Sequence, residues 1–154
     1  GHLAAWNYFM SIDTAENKDF IKKWNAYVKK HKLPDGSKRV TNDPMEATYI
    51  GIKMWAQAAE QAGTTNVDAV RQAIGGQTVQ SPSGFKITMD AKNHHLHKPV
   101  VIGEIQENGQ FDVVWKTDGP IRAQAWSPFI PDSKEKVADW TYPWVCGNCK
   151  KPKF

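Results

Sequence analysis

The stretch from residue 100 to residue 115 constrains this chain more than any other. Two apolar, β-branched runs, 100–106 and 110–115, flank the pair Asn108-Gly109. That dipeptide is favoured in type I′ turns, where both central residues need positive φ. The pattern predicts a β-hairpin, and a hairpin joins its two strands antiparallel. Whatever sheet this chain builds must accommodate that pair near its C-terminal end.

Upstream the texture differs. The run 3–9 is short, apolar and aromatic and reads as a strand or strand end. Asp13, with Glu16 three residues on, reads as the N-cap of a first helix, over 14–31. Phe20, Ile21, Trp24, Tyr27, Val28 and His31 fall along one face of it, and Pro34-Asp35-Gly36 ends it. A second helix, 43–62, starts with Asp43 as N-cap, Pro44 at N1 and Glu46 at N3, and stops at Gly63. Its Ala-, Met- and Ile-rich body implies burial on more than one side. A shorter helix over 66–74 closes at Gly75-Gly76, and residues 85–89 alternate like a strand. Strand, three helices, then strands make an α/β pattern with barely one βαβ unit, as if further strands of the sheet lay elsewhere.

Composition sets the outer limits. The 154 residues suffice for one ordinary domain, and 40% hydrophobic with 23% charged residues is a globular balance. No apolar run approaches the ~20 residues that a membrane-spanning helix needs. The net charge of +4 is uneven: residues 18–39 carry +6, the tail 132–154 carries +2, and the remainder is −4. A continuous nucleic-acid-binding face is not what this distribution describes, so no nucleic-acid partner is expected. The start at Gly1-His2-Leu3, without an initiator Met or a signal peptide, reads as a chain processed or cut from something longer.

Few residue groups suggest chemistry. In Asn93-His94-His95-Leu96-His97, an extended backbone puts His95 and His97 on one side, a spacing that can chelate Zn²⁺ or Cu²⁺. No second ligand cluster accompanies it, so the segment reads as a polar loop entering a strand, with no metal. Cys146 and Cys149 have redox-motif spacing, yet only five residues follow, one of them Pro152. Thiol catalysis needs a thiolate at a helix N-terminus, so a small surface disulfide is the expectation instead. No phosphate-cradling glycine loop, nucleophile elbow or spaced carboxylate pair is present. The sequence nominates no catalytic residue and no cofactor.

A binding site has better support. Trp6 and Tyr8 lie at the end of the first strand, and Asp43, Met45, Glu46 and Tyr49 occupy the first turn and a half of the second helix. Strand ends and helix N-termini are where open α/β folds hold ligands. A carboxylate there can accept ligand N–H groups while aromatic rings wall the cavity. The structural alternative makes Trp6 and Tyr49 core, with Asp43 and Glu46 only capping the helix.

Several segments together carry a family resemblance: Gly1-His2-Leu3-Ala4-Ala5-Trp6-Asn7-Tyr8-Phe9, Val40-Thr41-Asn42-Asp43-Pro44-Met45-Glu46-Ala47-Thr48-Tyr49-Ile50, and Ala62-Gly63-Thr64-Thr65-Asn66-Val67-Asp68-Ala69-Val70. Met89-Asp90-Ala91-Lys92-Asn93-His94-His95-Leu96 and Val101-Ile102-Gly103-Glu104-Ile105 continue it. The chain resembles the urea or short-chain amide substrate-binding proteins of bacterial ABC transporters, within the branched-chain amino acid (type I periplasmic) binding superfamily. The resemblance implies two α/β lobes joined by three crossovers, with ligand trapped between them. It makes residues 1–131 the C-terminal portion of such a protein, beginning near the second crossover. Helices 14–31 and 43–62 would share one lobe on a mainly parallel sheet, and the C-terminal hairpin would help form the third crossover. It also implies a non-catalytic, periplasmic protein whose partners are a small ligand (urea, a short-chain amide or a related amino acid), an ABC permease and the missing N-terminal part. Met45, Glu46 and Tyr49 become the ligand-side candidates, with Trp6 and Tyr8 beside them. Residues 132–154 form a tail outside the match. Two rival readings stand: a sensory or regulatory amide-binding domain of the same fold, and a metal-binding module built on His94, His95, His97 and the cysteine pair.

Overall fold

The computed structural model describes residues 1–135. Cys146 and Cys149, and most of the tail, lie outside the described residues. The chain divides into two compact units, Gly1–Ala123 and a second beginning at Gln124. In the second, Ser133–Glu135 form a short 3-10 turn, and the Ser133 hydroxyl donates to the Ser127 carbonyl at 2.9 Å.

The first unit runs β1 (Leu3–Trp6), α1 (Ala15–Lys30), α2 (Asp43–Ala62), α3 (Val67–Ala73), β2 (Thr78–Gln80), β3 (Lys86–Met89), β4 (Leu96–His97), β5 (Val101–Ile105) and β6 (Phe111–Lys116). The strands form two three-stranded sheets, ordered β1-β5-β6 and β2-β3-β4. Every pairing in both is antiparallel, so the expected mainly parallel sheet is corrected. Parallel neighbours require a crossover that returns to the same sheet in the same direction. Here α1, α2 and α3 separate β1 from β2, and β2 belongs to the other sheet.

The hairpin forms, with Ile105 opposite Phe111, but its turn differs from the expected type I′. Asn108 keeps negative φ, whereas Gly109 sits at +77°. The Gly109 N–H donates to the Gln106 carbonyl, and the Gln106 N–H to the Gln110 carbonyl. The Asn108 side chain accepts from the Gln110 N–H at 2.9 Å. This is a three-residue loop with its left-handed residue at glycine, the second common hairpin solution. The register also slips between Ile102 and Gly103, a bulge that raises local twist. Gly103 itself admits no side chain: a Cβ there would lie 2.8 Å from the Phe9 ring and 2.9 Å from Phe111. Those two rings stack at 4.5 Å across that gap.

Both long helices begin one residue away from the expected cap. Thr14, not Asp13, caps α1: its hydroxyl accepts from the Asn17 N–H at 3.1 Å and donates to the Pro82 carbonyl at 2.7 Å. Asp13 instead pairs with Lys18 on the surface at 2.6 Å. Asn42, not Asp43, caps α2, accepting from the Met45 N–H at 3.0 Å. Asp43 thereby enters the first helical turn with its carboxylate free for other partners. At the far end Gly63 takes φ +65°, the left-handed stop that its type suits.

The core lies between α2 and the second sheet. Ile50, Met54, Val79, Ile87 and Met89 are buried together, with Ile74, Phe85 and Leu96 packed around them. Spacing by four puts Glu46, Ile50, Met54 and Ala58 on that buried stripe of α2. The sequence predicts burial on more than one side of this helix, yet among the described residues its other face is open, with Ile52 63% and Trp55 48% exposed. On α1, Phe20 packs against Tyr49 at 4.9 Å and edge-on to Tyr8 at 6.1 Å.

Candidate functional site

The N-terminal turn of α2 is the centre of the polar architecture. Asp43 and Glu46 are three residues apart and share a helix face. Glu46 is fully buried, and both of its oxygens are engaged. Oε1 accepts from the Ser81 hydroxyl at 2.5 Å and Oε2 from the Lys98 ammonium at 2.6 Å. Ser81 is itself buried and within 2.9 Å of the Ser83 hydroxyl. Burial pushes the Glu46 carboxyl above its ordinary range, opposed by Lys98 and Ser81. Lys98 also lies 3.5 Å from Asp43 Oδ1, an ion pair by distance without the alignment of a hydrogen bond.

A cavity of about 410 Å³ opens on one side of this turn. Trp6, Tyr8, Phe9 and Phe111 supply its rings, and Thr41, Asn42 and Asp43 its polar edge. Tyr8 is 1% exposed, and its hydroxyl lies 2.7 Å from both Asn17 Oδ1 and Thr41 Oγ1. Asn17 is anchored in turn, donating to the Met10 and Ile12 carbonyls at 2.8 and 2.7 Å. Burial pushes the Tyr8 phenol up to about 12, so it stays protonated at neutral pH. Among the described residues no Lys, Arg or His lines this cavity.

A second hollow of about 800 Å³ lies between α1 and α2, lined by Phe20, Trp24, Tyr27, Met45, Tyr49 and Ile52, among others. The five expected ligand-side residues are therefore not one cluster. Trp6 and Tyr8 share the smaller cavity, and Met45 and Tyr49 face the helix groove. Glu46 lines neither of these two hollows: its carboxylate is taken up by Ser81 and Lys98. Asp43, one turn earlier on the same face, reaches the cavity instead. Phe111, Lys98 and Ser81 were not singled out from sequence. The hairpin pattern placed Phe111 on a strand without saying what it faced. An isolated Lys98-Pro99 gives no local cue to a partner 52 residues away.

The histidine segment is a turn that leads into β4. The Asp90 carboxylate accepts from the Lys92 and Asn93 N–H groups at 2.8 and 3.2 Å, and His94 turns the chain at φ +56°. His97 Nδ1 accepts from the Ala123 N–H at 2.8 Å. Among the described residues no group of three or more His, Cys, Asp or Glu could hold a metal ion.

Comparison with known proteins gives this geometry a context. A curated protein of Geobacillus stearothermophilus named limonene hydroxylase is 34% identical over 143 residues, covering 92% of this chain and 25% of that protein. A solute binding protein of an ABC transporter from Rhodopseudomonas palustris, solved with 3,4-dihydroxybenzoic acid, superposes with a TM-score of 0.61 at 22% identity. It is matched over 78% of this chain and 31% of its own length. A leucine binding protein from Thermotoga maritima gives 0.56 at 19% identity, over 75% of this chain and 30% of its own. The chain thus spans about a quarter to a third of the length of these relatives. At these identities the two structures speak for the fold alone, a partial periplasmic-binding-protein fold of mixed α/β type. Residues 1–132 match the family described as periplasmic binding protein domain, and the chain belongs to that family.

Proposed function

We propose that this chain is part of the solute-binding component of an ABC transporter. In this reading the protein works outside the cytoplasmic membrane, without catalysis, and hands urea or a short-chain amide to a membrane permease. Residues 1–131 contribute to the lobes and a crossover, and 132–154 are an appended tail. Ligand would bind where this surface meets the remainder of the intact protein, and lobe closure around it would be the state the permease reads.

The observation that carries the ligand class is the lining of the smaller cavity. Aromatic walls with Asp43 as the one charged group among the described residues suit a ligand that donates N–H bonds and brings no carboxylate. Trp6 and Tyr8 wall this site, Asp43 accepts from the ligand, and Met45 and Tyr49 shape the adjoining groove. The sequence resemblance to amide-binding proteins supports the same choice. Aromatic acids, such as the one held by the Rhodopseudomonas relative, would bring a carboxylate to a cavity already facing one. The name limonene hydroxylase belongs to a protein of which this chain matches a quarter, and nothing in the cavity favours carrying that chemistry over.

Calorimetric titration of the intact protein with urea, acetamide and 4-hydroxybenzoate tests the reading. Saturable binding of urea or acetamide is expected, weakened about 10-fold or more by Trp6→Ala through loss of an aromatic wall. Binding of 4-hydroxybenzoate with no response to either amide would overturn the ligand class.

A further inference from the structure

We propose that Lys98 is the positioning residue of the ligand-facing carboxylate, fixing Asp43 without touching the ligand; this rests on the binding role given to Asp43 above. Lys98 does not line the smaller cavity, whereas Asp43 does. The lysine is held from both ends. Its backbone carbonyl accepts from the Ile121 N–H at 2.9 Å, clamping the main chain just after β4. Its ammonium is anchored at 2.6 Å on Glu46, which Ser81 secures in turn. Its side chain is only 10% exposed, so the charge is not free to wander in solvent.

Asp43 has no comparable anchor of its own. Its Oδ1 is buried and makes no hydrogen bond, so among the described residues the ammonium 3.5 Å away is its polar tether. Removing Lys98 would leave the Asp43 side chain with nothing polar to choose its rotamer. One ammonium faces two carboxyl groups, Asp43 and Glu46, in low-dielectric surroundings where such contacts count most.

A double-mutant cycle between Lys98 and Asp43, run in the Glu46→Gln protein, separates this role from plain structural support. In that background the amide oxygen can still accept from the Lys98 ammonium, and the loss of Lys98 no longer strands the fully buried Glu46 carboxylate. With acetamide as the probe on the intact protein, Lys98→Met is expected to weaken binding about 5- to 10-fold where Asp43 is present, the scale of a lost contact to a charged group. In the Asp43→Asn protein the same change should cost nothing further. Equal losses in both backgrounds, or no loss in either, would overturn the proposal. A second measurement needs neither ligand nor the Glu46 background: scalar couplings that report the Asp43 χ1 rotamer in the otherwise unaltered protein and in Lys98→Met. One dominant rotamer replaced by averaging is the expected result, and an unchanged rotamer refutes the tether. If the unaltered protein binds neither urea nor acetamide, the functional reading falls, while the rotamer measurement still decides the role of Lys98.

Discussion

Glu46 is the residue whose chemistry most depends on its neighbours. Burial holds its carboxyl above the ordinary value of 4.5, and the Lys98 and Ser81 contacts only partly offset that. Folding therefore favours its protonated form. Its contribution to stability is fullest below the unfolded value and falls as pH rises through the higher folded one. Glu46→Gln does not titrate, so the stability of the native protein minus that of the variant should decline as pH rises from 4.5 upward. Denaturant melts at a series of pH values check this, and a difference that grows with pH would contradict the burial argument. Tyr8 offers a second residue-level case. Tyr8→Phe removes the donor to Asn17 Oδ1 and the contact to Thr41 while keeping the ring against Phe20. Because buried polar partners are then left unmatched, a loss of about 1–3 kcal/mol in unfolding free energy is expected by chemical denaturation.

Secondary-structure elements were legible in the sequence to the extent that local chemistry decides them. The order of elements, the stop at Gly63 and the hairpin around Asn108-Gly109 follow from periodicity and turn residues. The α2 cap slipped by one because Asp43-Pro44 resembles a helix start, whereas Asn42 takes the extended φ of −144° and the bonding role. The sense of the long-range pairing was not legible, since β1 and β5 are about a hundred residues apart and no local signal states their relative direction. The site was half legible for the same reason. Aromatic residues near a strand end pointed to the cavity, but which acidic residue faces it depended on Ser81 and Lys98, both distant in sequence. Two substitutions separate the rival local readings. Asn42→Ala should cost about 1 kcal/mol through loss of the α2 cap, and Asp43→Ala should not show that cap loss. In the hairpin, Gly109→Ala places a side chain at φ +77° and should cost about 1 kcal/mol, against a smaller change for Asn108→Ala. Thermal or denaturant melts of the four variants distinguish these outcomes.

At the scale of the molecule, the described residues carry apolar surface that their own elements do not cover. Ile52 and Trp55 on α2, Tyr27 on α1, and Val114 and Trp115 on β6 are each about half exposed or more. An α2 apolar on two sides is what a helix between two layers requires, and the described residues supply one of them. The chain also matches only about a third of each solved relative, so the second layer is expected from the remainder of the intact protein. Tested by itself, this chain should then expose sticky faces that the intact protein hides. Light scattering after size-exclusion chromatography is expected to show concentration-dependent self-association of the isolated chain. The double substitution Ile52→Lys, Trp55→Glu should shift it toward monomer while leaving the Ile50 and Met54 side of the helix packed. In the intact protein the same double substitution should destabilise folding instead, because there it would bury two charges. Equal tolerance in both settings would mean that this face of α2 is a solvent face after all, and that the second layer lies elsewhere.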